Sequence, residues 1–328
     1  MGANSDLKLY QMCYSAQIWF EFRTFEREFG TVMNIHRYVR LFWERRKDRT
    51  WRKIPKRMKD AFTDPRNDAE REIAAIIAQG DAEEAHALET ELFQQKTRLT
   101  NAERALQSKP TQKATNDKRV ATDKIARAQR QLDDLHRKEP LPRDSRIYPG
   151  QYAPVMILQD GKRTLVPMRY QCRLPGWNEA MERKYPGTYN ARRDNLEKTW
   201  GKLFGYRHGI MVVNTFFENV SRHKMEHRDL APGEREENVV LEFNPKPAHD
   251  MLVACLWSLD ERDELYSFAA ITDEPPPEVA AAGHDRCIIP IKPENLDAWL
   301  APDPGNLAAL HAILDDRDRP YYEHRMAA

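Results

Sequence analysis

The run Ile210-Met211-Val212-Val213-Asn214-Thr215-Phe216-Phe217-Glu218 decides the fold class. It is β-branched and aromatic, of strand length, and ends on a carboxylate, so it reads as a core strand that carries an acid at its end. Five further runs share its character: Val155 to Leu158, Val239 to Phe243, Met251 to Leu259, Tyr266 to Thr272 and Cys287 to Ile291. Short turn-prone or charged pieces separate them, with few long helical patterns between. The expected class is α+β, a mostly antiparallel, barrel-like sheet with peripheral helices. Pro293 to Leu300 then reads as a short helix with proline near its start.

Upstream of these strands the composition changes abruptly. From about Asp68 to Lys138 the chain is Ala, Gln, Glu, Lys and Arg, almost without aromatics. Ala85, Leu88, Leu92, Gln95, Leu99, Ala102 and Leu106 follow a 3-4 spacing, as do Ala121, Ile125, Ala128, Leu132 and Leu135 after a break at Ser108-Lys109-Pro110. This predicts an antiparallel coiled-coil hairpin over 68–138, inserted into a discontinuous domain of 12–60 and 146–328. Such an arm buries only a narrow seam. It suits self-association or a protein partner, and a plain spacer has the same pattern.

The 328 residues hold 52 Lys and Arg against 51 Asp and Glu, a formal net charge of +1. That balance excludes a uniformly basic nucleic-acid coat and confines any phosphate-binding surface to a patch. Arg37 to Lys59 is such a patch, with eleven Lys or Arg against Glu44 and Asp48, and with Tyr38, Phe42, Trp43 and Trp51 interleaved. Cations that track phosphates, alternating with rings that stack on bases, suit single-stranded nucleic acid. A solvated helix face with its rings in the core has the same composition. No run approaches about 18 apolar residues and no apolar signal core opens the chain, which points to a soluble, cytoplasmic protein without a membrane partner.

Cys13, Cys172, Cys255 and Cys287 are scattered and form no C-x-x-C pair, so neither structural zinc nor a disulfide framework is expected. Cys255, inside an apolar run, reads as core. His208, His223 and His227 with Glu226 lack the H-E-x-x-H spacing of a helical metal site, so no metal and no cofactor is expected. Cys13 differs because it follows Met12. Removal of that methionine would leave a 1,2-aminothiol, whose amine and thiol have reference pKa values of about 8 and about 8.5 and are both partly nucleophilic near neutral pH. Residues 1–11 are then a leader or a misassigned start.

Four places, in order, resemble the SRAP family, the SOS response-associated peptidases that process abasic sites. They are Met12-Cys13; Tyr189-Asn190-Ala191-Arg192-Arg193-Asp194, similar to an Asn-Ala-Arg-x-Glu signature with Asp194 for the usual Glu; the Ile210–Glu218 strand; and Phe268 to Thr272 followed by a proline-rich turn, His284-Asp285-Arg286 and the Asp297-Ala298-Trp299-Leu300 helix. The resemblance covers the chain except the helical arm, the residues before Met12 and roughly the last twenty. A proline-bearing turn of the family is matched by Pro149 to Pro154.

The resemblance implies a compact α+β domain with a groove for single-stranded DNA, in which the N-terminal cysteine captures the ring-opened aldehyde of an abasic site as a thiazolidine, with autoproteolytic exposure of Cys13 where a leader is present. On that reading the protein is nucleoid-associated when bound to DNA. The catalytic candidates are Cys13, Asn190, Glu218 and His284; the DNA-binding candidates are Arg192, Arg286, Trp177, Trp43, Arg45 and Arg46. Asn190 can both donate and accept, to orient the amine or a sugar hydroxyl. Arg192 offers a bidentate fork to a phosphate. Glu218, desolvated at the end of an apolar strand, is expected to have a raised pKa and to shuttle protons, and His284 titrates near neutrality. The bland readings stand beside these: Asn190 capping a turn, Arg192 paired with Asp194, Glu218 as an exposed strand end, and His284 bonded within its own loop. Ser15 stands where many family members carry arginine, and Cys287-Ile288 replace the usual Met-Pro. Two other classes of function fit the same residues, a thiol or N-terminal-nucleophile peptidase or amidohydrolase, and an inert scaffold acting through the arm.

Overall fold

The computed structural model describes residues 15–327. Its strands join in one 13-stranded sheet: β1 (Ser15–Ile18), β2 (Val32–Met33), β3 (Arg146–Ile147), β4 (Tyr152–Gln159), β5 (Lys162–Tyr170), β6 (Asn190–Arg192), β7 (His208–Ser221), β8 (Asn238–Lys246), β9 (Met251–Asp260), β10 (Leu265–Asp273), β11 (Cys287–Ile288), β12 (Pro290–Ile291) and β13 (Tyr321–Met326). The α-helices are α1 (Phe22–Phe29), α2 (Ile35–Lys47), α3 (Lys56–Asp60), α4 (Asp68–Ser108), α5 (Gln112–His136), α6 (Glu179–Lys184), α7 (Arg222–Met225), α8 (Pro277–Ala281), α9 (Leu296–Leu300) and α10 (Leu307–Asp315). They fall into two compact units, one formed by the chain up to Tyr38 and from Ser145 on, the other by Val39–Asp144.

β7, which contains the Ile210–Glu218 run, is the hub of the sheet. Its first half, His208–Val213, pairs antiparallel with β9 and meets β4 at Met156 opposite Ile210. Its second half, Phe216–Ser221, pairs with β8, and β1 runs along it with Ser15 opposite Phe217. From β9 the ring continues through β10, β5 and β4 back to β7, giving the closed, barrel-like α+β class that the strand runs lead one to expect. One strand can serve all these neighbours because both its faces are apolar. Only Asn214 and Asn219 in β7 are not buried, and each large side chain so buried contributes on the order of 2 kcal/mol. Gly209 permits the close approach to β4, since a Cβ there would lie 2.9 Å from Val155 Cγ1 and 3.2 Å from the Met156 carbonyl oxygen.

Three local differences from the sequence reading have physical causes. Cys287–Ile291 is two short strands, not one. β11 pairs β10 while β12 pairs β9, and Ile289 bridges them by donating to the Ile271 carbonyl and accepting from Ala254. Pro154, expected in a turn, lies within β4 directly opposite Pro167 of β5, a pairing that asks neither residue for a ladder N–H. β5 itself lies outside the apolar runs because Lys162, Arg163 and Pro167 interrupt its pattern.

Within Val39–Asp144, α4 spans 41 residues, about 60 Å at 1.5 Å per residue. Asn67 caps it by accepting from Glu70 N, and Glu70 returns to Arg66 N, a reciprocal cap. Pro110 cannot continue the helix, and the Thr111 side chain caps α5. The buried seam is Ile73, Gly80, Leu88, Gln95 and Ala102 on α4 with Ala114, Ala121 and Ala128 on α5, close to one residue per heptad. Small residues on α5 let the two helices approach closely. Leu92, Leu99, Leu106, Ile125 and Leu132, expected in the same seam, are only half-buried, because two helices cannot enclose a second stripe. Gly80 makes room for the Trp51 ring, whose Nε1 donates to Asp81 at 2.7 Å. No helix among the described residues is long and apolar enough to cross a membrane.

Candidate active site

At the end of the long strand, Glu218 is fully buried, and so is the His284 side chain on the loop between α8 and β11. His284 Nε2 stands 3.2 Å from Glu218 Oε2. His284 Nδ1 is 2.8 Å from the Arg286 carbonyl oxygen, which accepts its proton and so leaves Nε2 as the nitrogen facing the carboxyl group. The histidine is held by its own loop, and its Nε2 also comes within ion-pair distance of the acid. Glu218 is not the exposed strand end that a charged residue after Phe217 could have been. Burial pushes the His284 pKa down, disfavouring the imidazolium. Both side chains are taken wholly out of water here, which makes an isolated charge on either one costly.

Phe217, one residue before Glu218, faces the other side of the sheet. There the Arg146 guanidinium lies 3.6 Å from the Phe217 ring centroid and 5.0 Å from that of Tyr148, and its Nε donates to Ser15 Oγ at 2.9 Å. β3 holds Arg146 in place by pairing with β1, Gln17 opposite Arg146. An arginine is thus delivered from another strand to the position of Ser15, where the family pattern has one in the chain itself. Sequence reasoning missed it because nothing local marks Arg146 as anything but a residue before a turn.

Asn190 and Arg192 sit in β6, opposite Ala270 and Thr272 of β10. Asn190 is buried and lies 3.5 Å from the Tyr170 hydroxyl; it is a strand residue, not a turn cap. Arg192 makes a two-pronged pair with Asp194, Nε to Oδ1 at 3.1 Å and Nη2 to Oδ2 at 2.7 Å. That pair and the nearby Arg286 hold the Asp194 carboxyl below the usual range. On the far side of β10, Thr272 faces Ile288, so β6 and the strand after His284 are separated by about 10 Å, two strand spacings. Trp177 follows β5, its ring centroid 5.5 Å from that of Tyr185, and its carbonyl accepts from Arg262 at 2.7 Å. Its position relative to Glu218 and His284 is set by no direct contact.

The remaining candidates are spread out. Trp43, Arg45 and Arg46 belong to the Val39–Asp144 unit. Trp43 is half-exposed under Lys47, Arg45 pairs with Asp48 at 3.2 Å, and Arg46 grips Glu83 through Nε and Nη2. Cys172, Cys255 and Cys287 are buried, and burial raises all three thiols, Cys172 to about 12. None can supply a thiolate near neutral pH. Cys13 lies outside the described residues. His208 is a core histidine, accepting from Gly205 N at 2.9 Å and donating to the Trp299 carbonyl at 3.2 Å, with its pKa pushed down to about 3 by burial.

A family model described as SOS response associated peptidase (SRAP) matches residues 108–326. The matched range includes α5 and β13, and so reaches further at both ends of the barrel segment than the motifs alone indicate; Met12-Cys13 lies upstream of it. No curated protein matches. Among solved structures, the chain is similar to a protein from Bordetella bronchiseptica at 14% identity, covering 56% of this chain and 87% of that one with a TM-score of 0.44. A phage-related protein from the same organism has 19% identity, coverages of 56% and 81%, and a TM-score of 0.42. A protein from Bacteroides thetaiotaomicron has 13% identity, coverages of 56% and 78%, and a TM-score of 0.41.

Proposed function

The chain belongs to the SRAP family, and from that premise we propose that it captures the ring-opened aldehyde of an abasic site in single-stranded DNA on Cys13, as a thiazolidine. Family membership supports a role in the DNA-damage response, connected with abasic sites. The observation that carries the finer reading is the buried Glu218–His284 pair at the end of β7. The partner strand β1 begins at Ser15, opposite Phe217, and two residues of chain upstream of Ser15 have a reach of about 7 Å. Cys13 precedes that strand by two residues, and the other three thiols are buried.

In the proposed sequence the α-amine of Cys13 adds to the aldehyde and one water leaves, giving an imine. The thiolate then attacks the imine carbon, the nitrogen takes a proton, and the ring closes. Relative to the free reactants the product lacks one water. Glu218 and His284 share a proton that can be lent to the departing hydroxyl and recovered from the thiol, the general acid and base work the two steps require. Hydrolysis of the Met12–Cys13 bond, consuming one water, would use the same carriers where residues 1–12 are retained. Asn190 orients the sugar, and Arg192 and Arg286 meet flanking phosphates. Arg192 does so by exchanging Asp194 for DNA. Trp177 with Tyr185 offers rings for stacking. The barrel unit is formed by the chain up to Tyr38 and from Ser145 on, and the 68–138 arm lies within the Val39–Asp144 unit.

The test uses the full chain and a form beginning at Met12, each incubated with single-stranded DNA carrying one abasic site and run on a denaturing gel. A covalent band that requires the abasic site supports the proposal. Turnover of amide substrates without any DNA adduct would support a thiol peptidase instead. Neither reaction in a folded protein would leave a scaffold.

A further inference from the structure

We propose that the tip of the α4–α5 hairpin is a second nucleic-acid contact, one that grips the phosphate backbone without reading sequence. Residues 95–124 contain eight Lys and Arg (Lys96, Arg98, Arg104, Lys109, Lys113, Lys118, Arg119 and Lys124) against Glu103, Asp117 and Asp123, a local charge of +5 in a chain whose total is +1. Arg98 pairs with Asp117, Lys118 with Glu103, Arg119 with Asp123 and Lys124 with Glu91. Lys96, Arg104, Lys109 and Lys113 are exposed and make no ion pair among the described residues.

The other basic region of this unit is built differently. At the base of the hairpin, Arg46 is paired with Glu83, Arg52 with Glu84, and Lys59 with Asp81, so acids of α4 take up three of the eleven cations of Arg37–Lys59, while Arg40, Arg45 and Lys56 pair with Glu44, Asp48 and Asp60 close by in the chain. At the tip four of the eight cations are paired in this way, and Lys96, Arg104, Lys109 and Lys113 are not. Of these, Lys113 lies in the first turn of α5, where the helix dipole disfavours a cation, while Lys109 caps the C-terminus of α4, where the dipole favours one. Four exposed cations without a protein carboxylate, one of them at a position that costs stability, indicate an anionic partner.

The polymer that fits is nucleic acid and not a membrane. The turn Gln107-Ser108-Lys109-Pro110-Thr111-Gln112 has no large apolar side chain to insert into lipid. It does offer the amides, hydroxyls and cations that hydrogen-bond to phosphate oxygens. From Lys96 to Lys109 the helix advances about 20 Å, the length of roughly six base pairs at 3.4 Å per pair.

The experiment measures binding of the full chain to duplex and single-stranded DNA that carries no abasic site, so its outcome is separate from that of the thiazolidine reading. Anisotropy is followed as a function of NaCl concentration for the natural chain and for the fourfold variant Lys96→Gln, Arg104→Gln, Lys109→Gln, Lys113→Gln. Glutamine keeps helix propensity, and circular dichroism checks that the arm remains folded. On duplex, the plot of log K against log salt should lose about 3 to 4 units of slope, near 0.9 per cation removed, with affinity at low salt down at least about tenfold. A control, Arg52→Gln with Arg228→Gln, should change the slope by less than about 1, since those charges are already paired with Glu84 and Glu234. An unchanged slope in the fourfold variant, a larger loss in the control, or retention on phosphatidylserine vesicles in place of DNA would each overturn the proposal.

Discussion

In the barrel, Glu218 and His284 meet 3.2 Å apart with no side-chain exposure, and Arg173 is buried against Glu182 and Asp260. In the hairpin, pairs such as Arg119–Asp123 are about two-thirds exposed at 3.5 Å, and the buried seam holds one residue per heptad. Both regions are dense in charge, yet only the first takes it out of water. A buried pair is sensitive to the loss of either member, because the survivor keeps its desolvation cost. An exposed pair is worth about 0 to 1 kcal/mol, and its charges matter through their sum at a distance. The proposed chemistry in the barrel and the proposed long-range attraction on the arm rest on this contrast.

The largest effect should come from the barrel. Glu218→Gln keeps the shape and the hydrogen-bonding capacity but removes the titratable proton, so adduct formation should slow by about 10² to 10⁴, measured as single-turnover rates on abasic DNA. A rate within a few-fold of the natural chain would dissolve the distinction between the regions. Next, Leu88→Ala empties the one large buried position near the middle of the arm and should cost about 2 to 4 kcal/mol of arm stability, read as loss of helical circular dichroism at a lower temperature while the barrel's near-ultraviolet signal persists.

Gly80→Ala sets two effects against each other. In an ordinary helix the change stabilises by about 0.5 to 1 kcal/mol. Here the new Cβ would fall 2.7 Å from Trp51 Cζ2, an overpacking penalty of about 1 to 3 kcal/mol. Net destabilisation is expected, and denaturant titration gives the sign. Arg146→Ala removes the guanidinium held between Phe217 and Ser15, and should weaken abasic DNA binding by about tenfold, the worth of a charge-assisted contact, leaving the thermal midpoint nearly unchanged.

A further effect is that of pH. His208 has a folded pKa of about 3 and an ordinary value of 6.5, and burial lowers His284 as well. The unfolded chain therefore binds these protons more readily. Their contribution is complete above the unfolded value and is lost as pH falls below it, at up to about 1.4 kcal/mol per pH unit per group. His249, raised by its bonds to Pro247 and Asp318, acts in the opposite sense over the same range. Barrel stability should fall modestly from pH 6.5 to 5, while the arm, with no buried histidine among its described residues, should hold.

Period and alternation were enough to find the hub strand, its neighbours and both arm helices, because each buries a face whose spacing the sequence repeats. β5 was hidden because Lys162, Arg163 and Pro167 break its alternation, and β13 because Tyr321 to Met326 is polar and needs only β8 as a partner. Asn190, Glu218 and His284 could be singled out as candidates from their motifs, and the fold buries all three. Arg146 was not, since its role arises only when β3 is laid against β1, a pairing between residues 131 positions apart. Arg45 and Arg46 were legible as cations, but the acids that compensate Arg46 and its neighbours come from α4, some 37 residues on. Charge that looks available in a sequence can be spent in the fold.

The most direct measurement of the central claim is the intact mass and peptide map of the adduct formed between abasic single-stranded DNA and the form whose first residue is Cys13. The account predicts protein plus DNA less one water, mapped to residue 13, and no adduct from Cys13→Ala. An adduct that survives Cys13→Ala, or that maps to a lysine, would contradict it.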